Sequence, residues 1–212
     1  MNIRSSIRLV CFDLGGVLIR ICRSWREGCQ AAGIDIRGEW HNGYPQIENW
    51  GDLCVQFDTG RIDGKAWAAQ VSRGVNHLYS PEEVTAIHDA WLLGEYEGVL
   101  NLVDEIHECG LQTAALSNTN PDHWPFIVQY PTIQRLHHRF ASFLLGMHKP
   151  TPEIYREVQK LLRLDGSEIL FFDDLPQNIE GARSCGWNAV LIDPHSRTDV
   201  QICNALEQYK LK

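Results

Sequence analysis

The chain has 212 residues, 44% of them hydrophobic and 22% charged, enough to bury a substantial core in one domain or in one domain carrying an insertion. Its formal charge of -8, with Lys and Arg scattered, gives no basic footprint for nucleic acid, though a local positive pocket for a small anion is compatible with it. The seven cysteines (Cys11, Cys22, Cys29, Cys54, Cys109, Cys185, Cys203) are odd in number and form no C-x-x-C pair, so no disulfide framework or zinc site is signalled and a reducing cytoplasm fits; no run approaches the roughly 20 apolar residues of a membrane span.

The first β-rich run is "IRLVCFDL" (7 to 14), and Asp13 interrupts what would otherwise pass for a signal-peptide apolar region after Arg4 and Arg8. Residues 22 to 96 differ from the rest. They are rich in Trp and Gly, hold helical stretches such as "SWREGCQAAG" and "SPEEVTAIHDAWLL", and contain no convincing apolar β-run. Ser80 followed by Pro81 marks the start of the second stretch as an N-cap. The tryptophans Trp25, Trp40, Trp50, Trp67 and Trp91 are expected to build the small core of this segment, with one or two facing a ligand.

Further along, "VLNLVDEIHECG" (99 to 110) reads as a helix closed by Gly110. Four more strands follow: "LQTAALSN" (111 to 118), "FASFLLG" (140 to 146), "EILFFDD" (168 to 174) and "NAVLID" (188 to 193). After Thr151 and Pro152, the apolar residues Ile154, Tyr155, Val158, Leu161 and Leu162 recur on one helical face. The paired histidines at 137 and 138 belong on the surface. The alternation predicts an α/β fold, a Rossmann-like open parallel sheet core of residues 1–21 and 97–212, with a small helical cap of residues 22–96 inserted after the first strand.

Three of these strands end in polar residues: Asp13, then Ser117 with Asn118, then Asp173 with Asp174. In open α/β sheets ligands bind outside the carboxyl ends of the strands, so these groups, joined by Lys149, are expected to converge on one crevice. Carboxylates from different strands suit an oxygen-ligated Mg²⁺, which bridges to phosphate. A carboxylate there can act as a nucleophile, with Ser117 and backbone N–H groups holding the transferring oxygens. Gly15 and Gly16 let the loop approach metal and phosphate closely.

"FDLGGVL", "LSNTN", "GMHKPTPEIY" and "FFDDLPQNIEGA" resemble, in order, the four motifs of the haloacid dehalogenase superfamily of hydrolases, most closely its glucose-1-phosphate phosphatase-like branch. The resemblance implies a Mg²⁺-dependent phosphatase acting on a small phosphorylated metabolite through an aspartyl-phosphate on Asp13. It assigns the metal to Asp13, the Gly15 carbonyl and Asp174. It assigns phosphate to Ser117, Asn118, Lys149, Gly15 and Gly16, with Asp173 orienting Lys149 or a metal-bound water. Asn178 stands where many relatives carry a further acidic residue.

Many phosphatases of the superfamily read Asp-x-Asp in the first motif, the second aspartate serving as general acid and base. Here that position is Gly15. Positioned proton transfer contributes roughly 10² to 10⁴ in rate, so its loss favours a substrate with a less basic leaving group, such as a sugar 1-phosphate, or an acid recruited from the cap or from water. His41 and His77 are the cap candidates. Two other readings compete: a metal-independent dehalogenase, whose relatives also lack the second aspartate, and a phosphate-binding regulatory protein without turnover.

Overall fold

The computed structural model describes residues 6–38 and 47–211. A five-stranded sheet in the order β5-β4-β1-β6-β7 forms its centre, from β1 (Leu9–Phe12), β4 (Gln112–Ser117), β5 (His138–Ala141), β6 (Ile169–Asp173) and β7 (Asn188–Leu191). All four pairings are parallel, and β1 lies between β4 and β6, with Phe12 opposite both Ala115 and Phe172. The chain winds outward from β1 through β4 to β5, then returns to lay β6 and β7 on the other side. The winding reverses at β1, which opens a crevice at its carboxyl end.

Alternation along the strands feeds two separate cores. Val10, Phe12, Leu170 and Phe172 pack on α5 (Val99–Glu108) and α11 (Thr198–Gln208), through Leu102, Val103, Ile106, Ile202 and Leu206. Leu9, Cys11, Ile169 and Phe171 face the other way, onto α9 (Pro152–Leu162) and α10 (Pro176–Ser184). Continuous apolar strands are what this double burial requires.

Residues 22 to 96 fold mainly as α1 (Trp25–Ala32), α2 (Trp50–Asp58), α3 (Gly64–Gly74) and α4 (Pro81–Asp89). Their own core holds Trp25, Phe57, Trp67, Val71, Tyr79 and Ile87, with Trp50 and Trp91 packed against it. Helix α4 starts as expected, with a capping box between Ser80 and Glu83. Trp40 and His41 lie outside the described residues.

Two details depart from the sequence reading. The stretch from 22 to 96 holds a strand after all, β3 (Leu92–Glu95), antiparallel to β2 (Ile19–Ile21) in a ribbon that links sheet and helices. Four residues that include Gly94 at φ 100° carry no periodic signal. The strand expected at 140 to 146 runs instead from His138 to Ala141 and gives way to a helical turn, α8 (Ser142–Leu145). Its neighbour β4 ends at Ser117, opposite Ala141, so no partner remains beyond that point. The Ser142 hydroxyl is buried, accepting from the Thr119 N–H at 2.9 Å and contacting the Asp58 carbonyl of α2, while Leu144 turns to solvent.

Of the paired histidines, His137 is exposed and His138 partly so. No described helix is long and apolar enough to cross a membrane.

Candidate active site

Lys149 is 1% exposed, with Nζ 2.9 Å from Asp13 Oδ1 and 2.6 Å from Asp173 Oδ2. Burial opposes its charge, but Asp13 and Asp173 more than offset that, and its pKa is raised. Asn178 Nδ2 donates to both oxygens of Asp173 at 3.0 Å, and the Leu175 N–H adds a bond of 2.9 Å. Asp173 is therefore fully engaged in holding Lys149 and the start of α10. Asn118 acts on the backbone of the same lysine: its Oδ1 accepts from the Lys149 N–H at 2.9 Å and its Nδ2 donates to the Lys149 carbonyl at 3.0 Å. The strand end after β4 thus fixes the loop that carries the ammonium, and the Asn118 side chain is committed to that task.

Asp13, Asp173 and Asp174 each offer a carboxylate oxygen within 4.8 Å of the others. Burial lifts the Asp13 carboxyl above the usual carboxylate range, with Lys149 opposing it, and burial likewise raises Asp174 against the pull of Arg23. Among the described residues, Asp13 Oδ2 and Asp174 Oδ1 have no hydrogen-bond partner. Two carboxylate oxygens lacking donors, just past the ends of adjacent strands, form a hard-oxygen pair that fits a divalent cation such as Mg²⁺.

Arg23 carries no signal in the sequence that would place it here. It reaches from the start of α1 to Asp174, with Nη1 2.6 Å from Oδ2. The space it uses exists because residue 16 is glycine: a Cβ there would lie 2.2 Å from Arg23 Nη2 and 2.7 Å from Asp174 Oδ2. Gly15 shows a different constraint, since its Cβ would lie 2.9 Å from Ile21 Cδ1. The place toward which an aspartate side chain would start is filled by an apolar side chain from β2.

A cavity of about 250 Å³ opens above these strand ends, between the sheet and the helices. Gly15, Ser117 and Asn118 lie on the strand side, and no described residue hydrogen-bonds the Ser117 hydroxyl. Trp25, Trp50, Phe57, Trp67 and Trp91 line the helical side. A polar edge joins the two: Asn120 Nδ2 lies 3.3 Å from both Asp58 Oδ1 and His88 Nε2, and Asn120 Oδ1 accepts from the His123 N–H. The His88 and His123 rings stack at 3.7 Å, and His123 Nε2 donates to the His88 carbonyl at 2.8 Å. Burial, then His88, hold His123 down at about 3, so it is neutral. Asp58, His88 and His123 were not singled out in the sequence, because no spacing links a helix end in one half of the chain to a loop in the other. His77 is not part of the cavity lining, and its Nδ1 lies 3.3 Å from Ser72 Oγ.

A profile of haloacid dehalogenase-like hydrolases matches residues 7–186. The chain is 26% identical over 199 residues, 89% of its length, to mouse Acyl-CoA dehydrogenase family member 10, and 36% identical over 58 residues, 27% of its length, to Phosphatase MT3486 of Mycobacterium tuberculosis (strain CDC 1551 / Oshkosh). These matches span only 18% and 27% of the two curated relatives. Among solved structures, a predicted HAD-like family hydrolase from Porphyromonas gingivalis superposes with a TM-score of 0.75 at 23% identity, covering 95% of this chain and 98% of that one. A HAD family enzyme from Bacteroides thetaiotaomicron, in complex with magnesium and inorganic phosphate, gives 0.67 at 23% identity, covering 87% and 93%. The L-2-haloacid dehalogenase from Xanthobacter autotrophicus with covalently bound chloropropionic acid gives 0.64 at 19% identity, covering 97% and 84%.

Proposed function

The chain belongs to the haloacid dehalogenase-like hydrolases, and from that premise we propose that it is a Mg²⁺-dependent phosphatase that cleaves a small phosphorylated metabolite with Asp13 as nucleophile. The observation that carries this reading is the pairing of a buried Lys149 with Asp13 and Asp173 beside two donor-free carboxylate oxygens. A cation-rich approach to a buried carboxylate suits a dianionic phosphoryl group. The Bacteroides relative with magnesium and phosphate supports it.

Asp13 attacks phosphorus, the ester oxygen departs with its bonding electrons, and water then hydrolyses the aspartyl-phosphate and regenerates the carboxylate. Lys149 balances the charge that builds on the phosphoryl oxygens, with Asp173 and Asn178 keeping its ammonium aimed at Asp13. Ser117 supplies a hydroxyl donor from the opposite strand end. Mg²⁺, when bound, would sit on Asp13, Asp174 and the Gly15 carbonyl and offset the repulsion between carboxylates and phosphate. Helices α1 to α4 act as the cap that encloses the leaving group. Seven free thiols suit a reducing cytoplasm as the working compartment.

Phosphate release from a panel of esters, including glucose 1-phosphate and glucose 6-phosphate, with and without Mg²⁺, tests the reading. Metal-dependent release that disappears in Asp13→Asn is the expected result. One observation favours a metal-independent dehalogenase instead: the Arg23 guanidinium already neutralises Asp174. Chloride release from 2-chloropropionate that is unaffected by chelator would decide for it.

A further inference from the structure

Resting on the phosphatase reading, we propose that the alcohol released is a flat, largely apolar hydroxyl compound, a phenol or a comparable aromatic alcohol, and not a sugar. Two independent features of the cavity carry this inference, one from its walls and one from its chemistry.

The wall toward the helices is built from indole and phenyl faces: Trp50 packs 6.3 Å from Trp67, and Phe57 stacks on Trp67 at 5.0 Å. Ile19, Ile21, Leu92 and Ile127 extend the apolar lining toward the strand ends. A sugar would bring several hydroxyls into this space, more than its few unpaired groups can serve, and the rest would lose water without a partner. Of the polar groups in the lining, the Trp25 and Trp67 indole N–H groups and the Ser117 hydroxyl are unpaired among the described residues, and the amide and imidazole side chains are engaged with one another. Asn118 holds the Lys149 backbone, Asn120 bridges Asp58 and the His123 N–H, and His123 is bonded to the His88 carbonyl. An aromatic ring meets no such cost and gains stacking area.

The second feature lies at the ester oxygen. Gly15 brings no acid, and Ile21 Cδ1 occupies the space that its side chain would enter. When the bond from phosphorus to the ester oxygen breaks, the electron pair stays on that oxygen, and the departing anion takes a proton from water only after it has left. A phenol ionises near 10, as a tyrosine side chain does, whereas hydroxide-like alkoxides correspond to about 15.7, the value of water. A phenoxide departs without help, and an ordinary alkoxide needs a proton donor that this end of the cavity does not supply.

The test uses the whole chain and five probes. By calorimetry, 2-naphthol is expected to bind at least 30-fold more tightly than glucose, and Trp50→Ala and Trp91→Ala, each checked for folding by circular dichroism, to weaken it at least tenfold. In turnover, 2-naphthyl phosphate should exceed phenyl phosphate at least tenfold in kcat/KM. Their leaving groups are similarly basic, which separates cavity preference from intrinsic reactivity. Acetyl phosphate, whose leaving group is too small to sample the walls, controls for the phosphatase reading. Glucose binding as tightly as 2-naphthol overturns the proposal, as does naphthol binding indifferent to both tryptophans. Release from acetyl phosphate with none from 2-naphthyl phosphate overturns this proposal alone, and no Asp13-dependent release from either overturns the phosphatase reading with it.

Discussion

Arg23 Nη1 lies 2.6 Å from Asp174 Oδ2, so a fixed cation from the start of α1 rests on one of the carboxylates assigned to the metal. The Asp174 side chain is only 5% exposed, which screens the pair little. Two cations that share one carboxylate compete for it, even when they use different oxygens. Arg23→Gln is therefore expected to tighten Mg²⁺ binding roughly tenfold, equivalent to about 1.4 kcal/mol, in a calorimetric titration with no substrate present. Unchanged or weaker binding would mean that the guanidinium orients Asp174 for the metal.

Among the described residues, Lys149 is the cation paired with both Asp13 and Asp173. Removing one member of a buried ion pair costs about 3 to 5 kcal/mol, because the remaining charge stays buried and uncompensated. Lys149→Met should lose activity and destabilise by that amount at neutral pH. The sign with pH follows from Asp13, whose carboxyl burial raises while Lys149 lowers it. Without Lys149 it rises further. A carboxyl raised above its unfolded value, near 4, contributes its stability at acid pH and loses it as pH climbs through the folded value. Because the native Asp13 carboxyl is already raised to about 7, the deficit of the variant in urea unfolding is expected to grow as pH climbs above about 7; a constant deficit there would refute the account.

Asp13 and the Asp173–Asp174 pair were legible in the sequence because each ends a buried apolar run, and the parallel sheet carries the ends of such runs to one place; Lys149, which follows the helical turn α8, was legible from its Lys-Pro context after a strand. Arg23 was illegible for the opposite reason. It lies beyond the strand, in a ribbon and helix start whose direction depends on the pairing of β2 with β3, four residues broken by Gly94. Asn118 was legible as a site residue, yet its side chain serves the Lys149 backbone, a role set by a contact 31 residues away. The short β5 shows the same limit: "FASFLLG" is apolar throughout, and only the end of β4 and the buried Ser142 hydroxyl stop the strand.

Gly15→Asp restores the more common first motif on paper. In this chain its Cβ would stand 2.9 Å from Ile21 Cδ1, the far end of a flexible side chain, so either Ile21 turns aside or the new carboxyl is pressed against it. Overpacking of this kind costs about 1 to 3 kcal/mol. The expected outcome is a lower melting temperature and no gain in turnover of glucose 6-phosphate, both relieved in part by the double variant with Ile21→Ala. A gain in turnover from Gly15→Asp alone would show that the Ile21 side chain yields freely.

His123 provides a pH signature that is independent of the proposed chemistry. It is 7% exposed, stacked on His88, and held at about 3 by burial and by His88, against an unfolded value of about 6.5. The folded protein keeps this ring neutral while the unfolded chain binds a proton below about 6.5. Its contribution is fully present above that pH and is lost as pH falls toward 3, at up to about 1.4 kcal/mol per pH unit. Replacing the ring by an amide that can still donate to the His88 carbonyl removes the titration and keeps the hydrogen bond. The difference in unfolding free energy between the native chain and His123→Gln, measured from pH 7.5 to pH 4.5, should shift steadily in favour of the variant as pH falls. Parallel curves would show that His123 is protonated within the fold and that the stacked pair tolerates its charge.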